Sequence, residues 1–528
     1  FQVLAPTGEG AAIRALVCDE AEHLPDMAAL YAGTRVSVKN LLEQTKSESV
    51  RKLYDDLTKI GDSVGEAPHN GVVLHRMVAP SDASMRRVRR RIIRLVKDVI
   101  AEILERADVM GDDQCENRNY LRNTALAFEA WIWRASTIDE RGRLLKSRSG
   151  EDFEYLQRAT VPALEWSPTK HYPRLVLAPV EPGRIMGRYW MLLGDSRGPR
   201  LQAVIFTSAT LADRSVERES AGIDQFKMFT SDIGLFEYRP GDPLKKQGCR
   251  IVRAHSSEPA RFGSMDFVVA VDAPSPRPTR DARKQNAARI AASDTEGEDI
   301  APSFLPPEYI EWMMKVLRAA VGKGGRVLAL TTSYADAEAI GAACASAGVN
   351  AFVHRRGTRV DEASRAWREQ KEPIETPVFL TPAAWSGVNW PGVIRHLVIT
   401  KIPFLPPDYL RLDALTASYR ERGLVARVKQ SVFGIGLVIT RWRIRQALGR
   451  PIRAYRDRVT VWLPDPGFPM PDWVKRADPK VLRKILAGAH GKRYSDMRAA
   501  VPSRFSGKYD QARLMFKDGQ IVEYNVKR

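Results

Sequence analysis

Residues 310–330 read IEWMMKVLRAAVGKGGRVLAL, and this stretch decides the fold class. Apolar residues recur at helical spacing over 310–321, and a short apolar run at 326–330 follows a glycine-rich turn, which predicts a helix and then a buried strand. Further apolar runs with the length of strands lie at 351–354, 378–380, 396–400 and 459–463. Strands that alternate with helices predict an α/β fold built on a mostly parallel, doubly wound sheet.

The 528 residues have the composition of a globular protein with a large surplus of positive charge. Lys and Arg number 82 against 63 Asp and Glu, a formal net charge of +19, and the pI is about 9.8. Such a surplus favours a polyanionic partner, and the alternative is a basic surface that serves solubility alone. A hydrophobic content of 44% excludes a wholly disordered or fibrous chain. At roughly 150 residues per domain, the length predicts three or four domains.

The sequence indicates neither a membrane span nor a cysteine-based metal site. The longest apolar run, at 432–439, is far shorter than the roughly 18 residues that cross a bilayer. Without a basic segment that leads into an apolar stretch, we expect no secretory signal and a cytoplasmic location. No zinc or iron–sulfur site is expected, because the four cysteines are dispersed along the chain. They are Cys18, Cys115, Cys249 and Cys344.

Helical periodicity dominates residues 38–135, and one segment of this region is strongly basic. Residues 85–97 carry seven cations beside apolar residues that recur at helical spacing, which predicts an amphipathic helix with a basic face. Arg89, Arg90 and Arg91 are candidates for contact with a nucleic-acid backbone, and a merely solvated face is the alternative. A later segment, 273–303, is rich in Pro, Ser, Asp and Arg and predicts an exposed linker.

The first residues resemble the front of a phosphate-binding loop. In such a loop, glycines allow backbone N–H groups to surround a phosphate. The candidate nucleotide-binding residues are Pro6, Thr7, Gly8 and Gly10. Ala11 and Ala12 stand where the loop requires Lys and Ser or Thr.

The next apolar run, at 13–18, predicts a buried strand that begins directly after this loop. Adjacent parallel strands need a crossover of about a dozen residues or more, and there is no room for one here. We therefore expect that residues are missing from this sequence after Gly8 or Gly10. The alternative is a loop that has lost its function.

Acidic and hydroxyl side chains follow two of the predicted strands. Asp19 and Glu20 come after the first; the Asp can hold the Mg²⁺ of a nucleotide, and the Glu can orient the attacking water. The hydroxyl residues follow the apolar run 203–206 and can hydrogen-bond to a neighbouring acidic site. They are Thr207, Ser208 and Thr210.

Three more motifs lie in the C-terminal half. Ser333 and Tyr334 follow the strand at 326–330, and residues 385–392 (WSGVNWPG) combine glycines, an amide and tryptophans. Trp385 and its loop can hold phosphates and stack bases, whereas a tight turn with buried tryptophans is the alternative. In QALGRPIR, Arg450 and Arg453 are expected on one side of a helical turn, where both can reach one partner such as a γ-phosphate.

The order of these motifs resembles that of a superfamily 2 helicase. More narrowly, residues 17–25, 206–211 and 385–404 resemble the DinG/XPD family. The resemblance implies two RecA-like domains with a helical arch inserted in the first. The first domain would comprise 1–23 and 171–240 on either side of the arch at 24–170, and the second domain would comprise 241–528.

The resemblance also implies an ATP-dependent helicase that acts as a monomer and moves 5′ to 3′ on single-stranded DNA. ATP and Mg²⁺ would be the cofactors, with Asp19 at the Mg²⁺ and Gln446 at the nucleotide. Arg450 and Arg453 would act as arginine fingers, and Gly387 and Asn389 would lie near both ATP and DNA. The hydroxyl residues after 203–206 would couple hydrolysis to movement.

The chain departs from the family pattern at several positions. Glu22 stands at a common His, and Asn389 replaces a usual Asp. The four cysteines that hold an iron–sulfur cluster in many members are also absent. A branch associated with type IV CRISPR systems lacks them as well, which suggests a CRISPR ribonucleoprotein partner. The competing hypothesis is a nucleic-acid-binding, helicase-like module with a decayed ATP site.

Overall fold

The computed structural model describes residues 15–18, 33–63, 74–78, 83–136, 160–166, 172–179, 203–206, 263–277, 305–385, 387–404, 425–488 and 493–523, with single positions at 21, 24, 27, 183, 186, 233, 410, 412 and 413. The chain divides into two compact units. Unit 1 is Phe1–Arg253, Ile290–Ala292 and Pro407–Val432; unit 2 is Ala254–Arg289, Ser293–Pro406 and Phe433–Arg528. Unit 2 thus differs from the predicted continuous domain 241–528, since Leu410 packs with Ala163 and Val176 of unit 1.

The described elements of unit 1 combine long helices with short strands. They are β1 (Ala15–Cys18), β2 (Thr34–Ser37), α1 (Val38–Thr45), α2 (Glu48–Ser63), β3 (Leu74–Met77), α3 (Ala83–Val109), α4 (Cys115–Ser136), β4 (Thr160–Trp166), β5 (Arg174–Pro179) and β6 (Ala203–Phe206). The predicted helical region is confirmed by α1–α4. In α3, Ile92, Val96, Val99 and Ile103 are fully buried, as the predicted amphipathic pattern requires.

An antiparallel sheet of order β2-β5-β4-β3 packs with these helices. Trp166 on β4 is fully buried and donates its indole N–H to the Leu57 carbonyl of α2 at 2.8 Å. This sheet crosses the predicted boundary at residue 170, because β5 pairs with both β2 and β4. The segment predicted as a helical arch is therefore a mixed region, in which three strands accompany the helices.

The strand pair β1 and β6 is separate from that sheet and is parallel. The two strands end in register, with Cys18 opposite Phe206. Val17 and Ile205 are 61% and 50% exposed, so the predicted burial of the first strand is not observed. Among the described residues, no third strand joins this pair.

Unit 2 is built around one sheet of order β14-β13-β7-β12-β11-β8-β10-β9. Its strands are β7 (Ser264–Ala270), β8 (Arg326–Leu330), β9 (Ala351–Val353), β10 (Val378–Thr381), β11 (Ile394–Ile399), β12 (Arg458–Leu463), β13 (Arg513–Met515) and β14 (Ile521–Val522). Every pairing is parallel except that of β13 with β14. The parallel sheet expected from the sequence is confirmed, as are its five predicted strands.

Helices cover both faces of this sheet. They are α5 (Pro307–Val321), α6 (Tyr334–Ser346), α7 (Val360–Ala363), α8 (Arg365–Arg368), α9 (Val425–Gly449), α10 (Pro479–Gly488) and α11 (Ser503–Asp510). Side chains of β8 alternate between the two faces, with Val327 and Ala329 in one core and Leu328 and Leu330 in the other. Burial on both sides explains why these strands are continuous apolar runs.

Candidate functional site at the carboxyl edge of the parallel sheet

The carboxyl ends of parallel strands meet at one edge of a sheet, and open α/β sheets bind their ligands there. In unit 2 this edge receives the segments after β8, β9, β10, β11 and β12. Two of the predicted motifs, at 332–334 and 385–392, follow β8 and β10 directly. The fold therefore gathers residues that are far apart in the sequence.

The two arginines of the last motif converge on one backbone atom of the loop after β10. Arg450 donates from Nη1 to the carbonyl oxygen of Val388 at 2.9 Å, and Arg453 donates from Nη2 to the same oxygen at 3.4 Å. Both arginines therefore share one hydrogen-bond acceptor, a backbone carbonyl of this chain. These two hydrogen bonds bring the motif at 446–453 into contact with the motif at 385–392.

The expectation that these arginines lie on a helical turn is wrong. Helix α9 ends at Gly449, and Pro451 in the next residues cannot continue it. Asp457 holds the irregular turn that follows, because its Oδ2 accepts the backbone N–H groups of Arg453 and Ala454, each at 2.7 Å. Gln446 lies half-buried in the last turn of α9.

The loop 385–392 alternates between buried and exposed residues. Trp385, Val388 and Trp390 are buried, whereas Gly387 and Asn389 are exposed. Gly387 has a φ of 75°, a conformation that favours glycine. The two predicted cofactor-binding residues, Gly387 and Asn389, therefore form the outer surface of the loop.

Trp385 was predicted to contact or couple to DNA, and its ring packs into the core of unit 2. Its indole N–H donates to the Thr331 carbonyl at 2.8 Å, which ties the loop after β10 to the segment after β8. Trp390 donates to Asp361 Oδ1 at 3.3 Å. The alternative interpretation, a turn with buried tryptophans, describes both rings, so neither offers an open stacking surface.

Ser333 caps helix α6 rather than pointing freely from the edge. Its Oγ accepts the backbone N–H of Asp336 at 3.0 Å. Asp336 is buried, and its Oδ2 accepts from Thr332 Oγ1 at 2.9 Å and pairs with Lys401 Nζ at 2.8 Å. Sequence reasoning missed Asp336 and Lys401, although Ser333 followed by an acidic residue three positions later is a capping signal.

Tyr334 packs edge-on against the ring of His354, with 5.2 Å between ring centroids. His354 is buried, with Nε2 2.9 Å from the Thr358 carbonyl and Nδ1 2.8 Å from Thr381 Oγ1. A carbonyl only accepts, so Nε2 donates this hydrogen bond. The ring thereby joins the segments that follow β8, β9 and β10.

A second cluster that the sequence did not indicate follows β11 and β12. Asp465 is buried, and its carboxylate accepts the backbone N–H groups of Ile402 at 2.9 Å and Gly467 at 2.7 Å. Burial raises the pKa of Asp465, while these two hydrogen bonds oppose the shift. The guanidinium of Arg277 lies 5.0 Å from the ring centroid of Phe404 and 4.8 Å from that of Tyr494.

The basic helix predicted in unit 1 corresponds to α3, and its arginines differ in environment. Arg89 is buried, and Arg91 pairs with the nearly buried Asp56. Arg90 is exposed, as are Arg87, Arg94 and Lys97. Of the three predicted DNA contacts, Arg89 therefore belongs to the interior and Arg91 is engaged by a carboxylate, whereas Arg90 faces solvent.

Several predicted site residues lie outside the described residues. They are Pro6, Thr7, Gly8, Gly10, Asp19, Glu20, Thr207, Ser208 and Thr210. Asp19 and Thr207 directly follow Cys18 and Phe206, the paired last residues of β1 and β6. Within the described part of the chain, no group of three or more His, Cys, Asp or Glu side chains is placed to hold a metal ion. None of the helices described there is long and apolar enough to cross a membrane.

A portion of the chain matches a known protein family. Residues 316–483 match the helicase C-terminal domain family, which is found in DinG/XPD-like helicases. The match supports a superfamily 2 helicase. It covers about a third of the chain (168 of 528 residues) and includes Ser333, the loop 385–392, and both Arg450 and Arg453.

Among solved structures, the C-terminal part of the Fun30 ATPase domain is similar to a portion of this chain. The identity is 13%, and the match covers 43% of this chain and 58% of that chain, with a TM-score of 0.18. The chain thus spans less than two thirds of that structure's length. None of the curated proteins matches this chain.

Proposed function

We propose that this protein is an ATP-dependent DNA helicase of the DinG/XPD type that translocates on single-stranded DNA, 5′ to 3′. The observation that carries the proposal is the convergence of Arg450 and Arg453 on the Val388 carbonyl. Two motifs that the sequence analysis assigned to one nucleotide-dependent site meet there, within the residues that match a helicase C-terminal domain.

The chemistry of Arg453 fits a phosphate ligand. A guanidinium carries five N–H donors in a planar fork that suits phosphate oxygens. Within the described part of the chain, the exposed side chain of Arg453 makes a single hydrogen bond, to Val388. Its remaining donors are thus available for a γ-phosphate, while Arg450, which is buried, holds the loop.

ATP, bound with Mg²⁺, would supply the phosphoanhydride whose hydrolysis drives movement. In this proposal Asp19 holds the Mg²⁺, Glu20 orients the attacking water, and Gln446 contacts the nucleotide. Arg453, with Arg450, offsets charge that develops on the transferred phosphoryl group. Thr207, Ser208 and Thr210 couple hydrolysis to the DNA.

The net charge of +19 supports a polyanionic partner. The exposed cations of α3 and of unit 2 would contact phosphates of single-stranded DNA. A role beside a CRISPR ribonucleoprotein and a monomeric state follow from the sequence resemblance and are elements of the same proposal. The cytoplasmic location expected from the sequence is a further element.

The test is ATP hydrolysis with and without single-stranded DNA, followed by unwinding of duplexes with a 5′ or a 3′ tail. We expect DNA-stimulated hydrolysis and unwinding of the 5′-tailed duplex. Glu20→Gln should abolish turnover and leave DNA binding intact. DNA binding without any ATPase activity in the wild type would instead favour the decayed module that Ala11 and Ala12 suggest.

A further inference from the structure

A turn after β9 presents three arginines that no predicted motif includes. Arg355, Arg356 and Arg359 are all exposed. Because β9 pairs in parallel with β10, the turn leaves the sheet at the same edge as the loop 385–392. It therefore lies on the edge that carries the candidate site.

The turn has a defined shape because side-chain hydrogen bonds to its backbone hold it. His354 Nε2 donates to the Thr358 carbonyl at 2.9 Å, and Thr358 Oγ1 donates to the Arg355 carbonyl at 2.9 Å. Gly357, between them, has a φ of 89°, which a residue with a side chain rarely adopts. A backbone fixed in this way loses little further conformational entropy when its side chains bind a ligand.

The three arginines lack acidic partners in the part of the chain that the structure describes. None of them is in an ion pair there, unlike Arg91, Arg498 and Arg513, which each pair with a carboxylate. The nearest acidic residues in sequence are Asp361 and Glu362. Asp361 accepts from the Trp390 indole, which anchors the turn to the loop 385–392.

We propose that the turn 355–359 is a binding site for the phosphodiester backbone of nucleic acid. Three exposed guanidinium groups on a fixed turn suit successive phosphates of an extended strand. One anchor of the turn, the loop 385–392, also accepts the hydrogen bonds of Arg450 and Arg453, so a strand bound here lies on an element tied to the nucleotide motifs. The inference rests on the proposed function and adds to it a contact surface in unit 2.

The experiment measures binding of the full chain to an oligothymidylate of about 20 nucleotides as a function of salt. The test variant is Arg355→Gln/Arg356→Gln/Arg359→Gln. The matched control, Lys323→Gln/Lys371→Gln/Arg395→Gln, removes three exposed cations that precede or begin strands of the same sheet. Thermal unfolding of each variant checks that the fold is retained.

We expect the test variant to bind more weakly and to lose part of the salt dependence. Single-strand binding has a slope of about −0.7 per phosphate contact, so three lost contacts make the slope shallower by about 2. Raising salt from about 50 to 200 mM should then weaken the wild type about 20-fold more than the variant. The control should keep the wild-type slope.

Equal slopes for the test variant and the wild type would overturn the inference while leaving the helicase proposal intact. Equal losses in the test and control variants would also overturn it, because they would report net charge alone. Loss of ATP binding with unchanged oligothymidylate binding would assign the turn to the nucleotide instead. A wild type that binds no nucleic acid would remove the proposed function and the inference together.

Discussion

The large sheet of unit 2 and the antiparallel sheet of unit 1 use their connections differently. In unit 2 the strands run in parallel, so the segments after β8, β9 and β10 all leave at one edge. In unit 1 the antiparallel strands β2 to β5 leave alternately at opposite ends. A parallel sheet therefore concentrates distant motifs, whereas the antiparallel sheet of unit 1 mainly supports a helical core.

The two predicted groups of arginines, one in each unit, differ in their contacts. In unit 2, Arg450 and Arg453 donate to a backbone carbonyl and thereby join two motifs. In unit 1, Arg91 pairs with Asp56, while the cations further along α3 face solvent. Arg450 and Arg453 thus join two segments of the candidate site, whereas the outer cations of α3 remain exposed.

The largest expected effect separates the site arginine from a neighbour. Arg453→Ala should lower the kcat of DNA-stimulated ATP hydrolysis by about 10³-fold or more, the usual contribution of an arginine finger. Arg456→Ala is the matched control, since Arg456 is exposed three residues later and donates to Tyr455 at 2.6 Å. Equal rates of ATP hydrolysis in the two variants would contradict the assignment of Arg453, rather than any nearby arginine, to the site.

The second prediction tests whether each unit depends on its own core. Trp166→Ala should destabilise unit 1 by about 3–5 kcal/mol, because it removes a buried ring and its bond to Leu57. Trp462→Ala should do the same in unit 2. In Trp166→Ala, the backbone amides of β4 and β5 should lose protection from hydrogen exchange. In Trp462→Ala, those of β11 and β12 should lose it. Loss of protection in the strands of the other unit would contradict the division into two units with separate cores.

The third prediction sharpens the contrast along α3. Arg91→Gln should lower stability by about 1 kcal/mol, since Asp56 is nearly buried but the guanidinium is 69% exposed and screened by water. Arg94→Gln, one turn away and exposed, should leave stability within about 0.5 kcal/mol. It should instead make the salt slope of DNA binding shallower by about 0.7. Chemical denaturation and salt titration measure the two effects.

The smallest effect is a pH dependence in the sheet of unit 2. Burial lowers the pKa of His396 below its ordinary value of 6.5, and Lys323, Arg395 and Arg513 add to the shift. The neutral ring bonds to the Gly324 carbonyl at 2.9 Å. Because the pKa is lower in the folded than in the unfolded protein, the neutral ring contributes stability above pH 6.5. This contribution is lost as the pH falls through the pKa of the folded protein. The Tm should drop between about pH 7.5 and 5.5, and by less in His396→Gln.

The sequence predicted the sheet of unit 2 better than the candidate site. Strands such as β8 and β11 are buried on both faces, and their apolar runs stand out from the surrounding chain. Strand β7 was missed because Asp266 interrupts its apolar pattern, and β14 was missed because it has two residues. In unit 1, strand β3 lies between two long helices and was hidden by the helical periodicity, while the four-residue strand β2 comes just before that region and was not predicted.

For the site, residue patterns indicated the motifs but not their contacts. Arg450 and Arg453 meet a backbone carbonyl, and every residue type carries one, so the sequence could not single out Val388. The ion pair of Lys401 with Asp336 joins segments after different strands and depends on the sheet order. Trp385 illustrates the opposite case, since an aromatic residue in a motif proved to be a buried anchor.

By itself, the sequence determined the α/β class, the basic charge and the order of motifs, because apolar periodicity, composition and motif spacing are properties of the chain alone. The tertiary structure decided which motifs touch, which arginines face solvent and which are anchored. Those outcomes depend on strand order and side-chain burial, which arise only when segments far apart in sequence pack against one another.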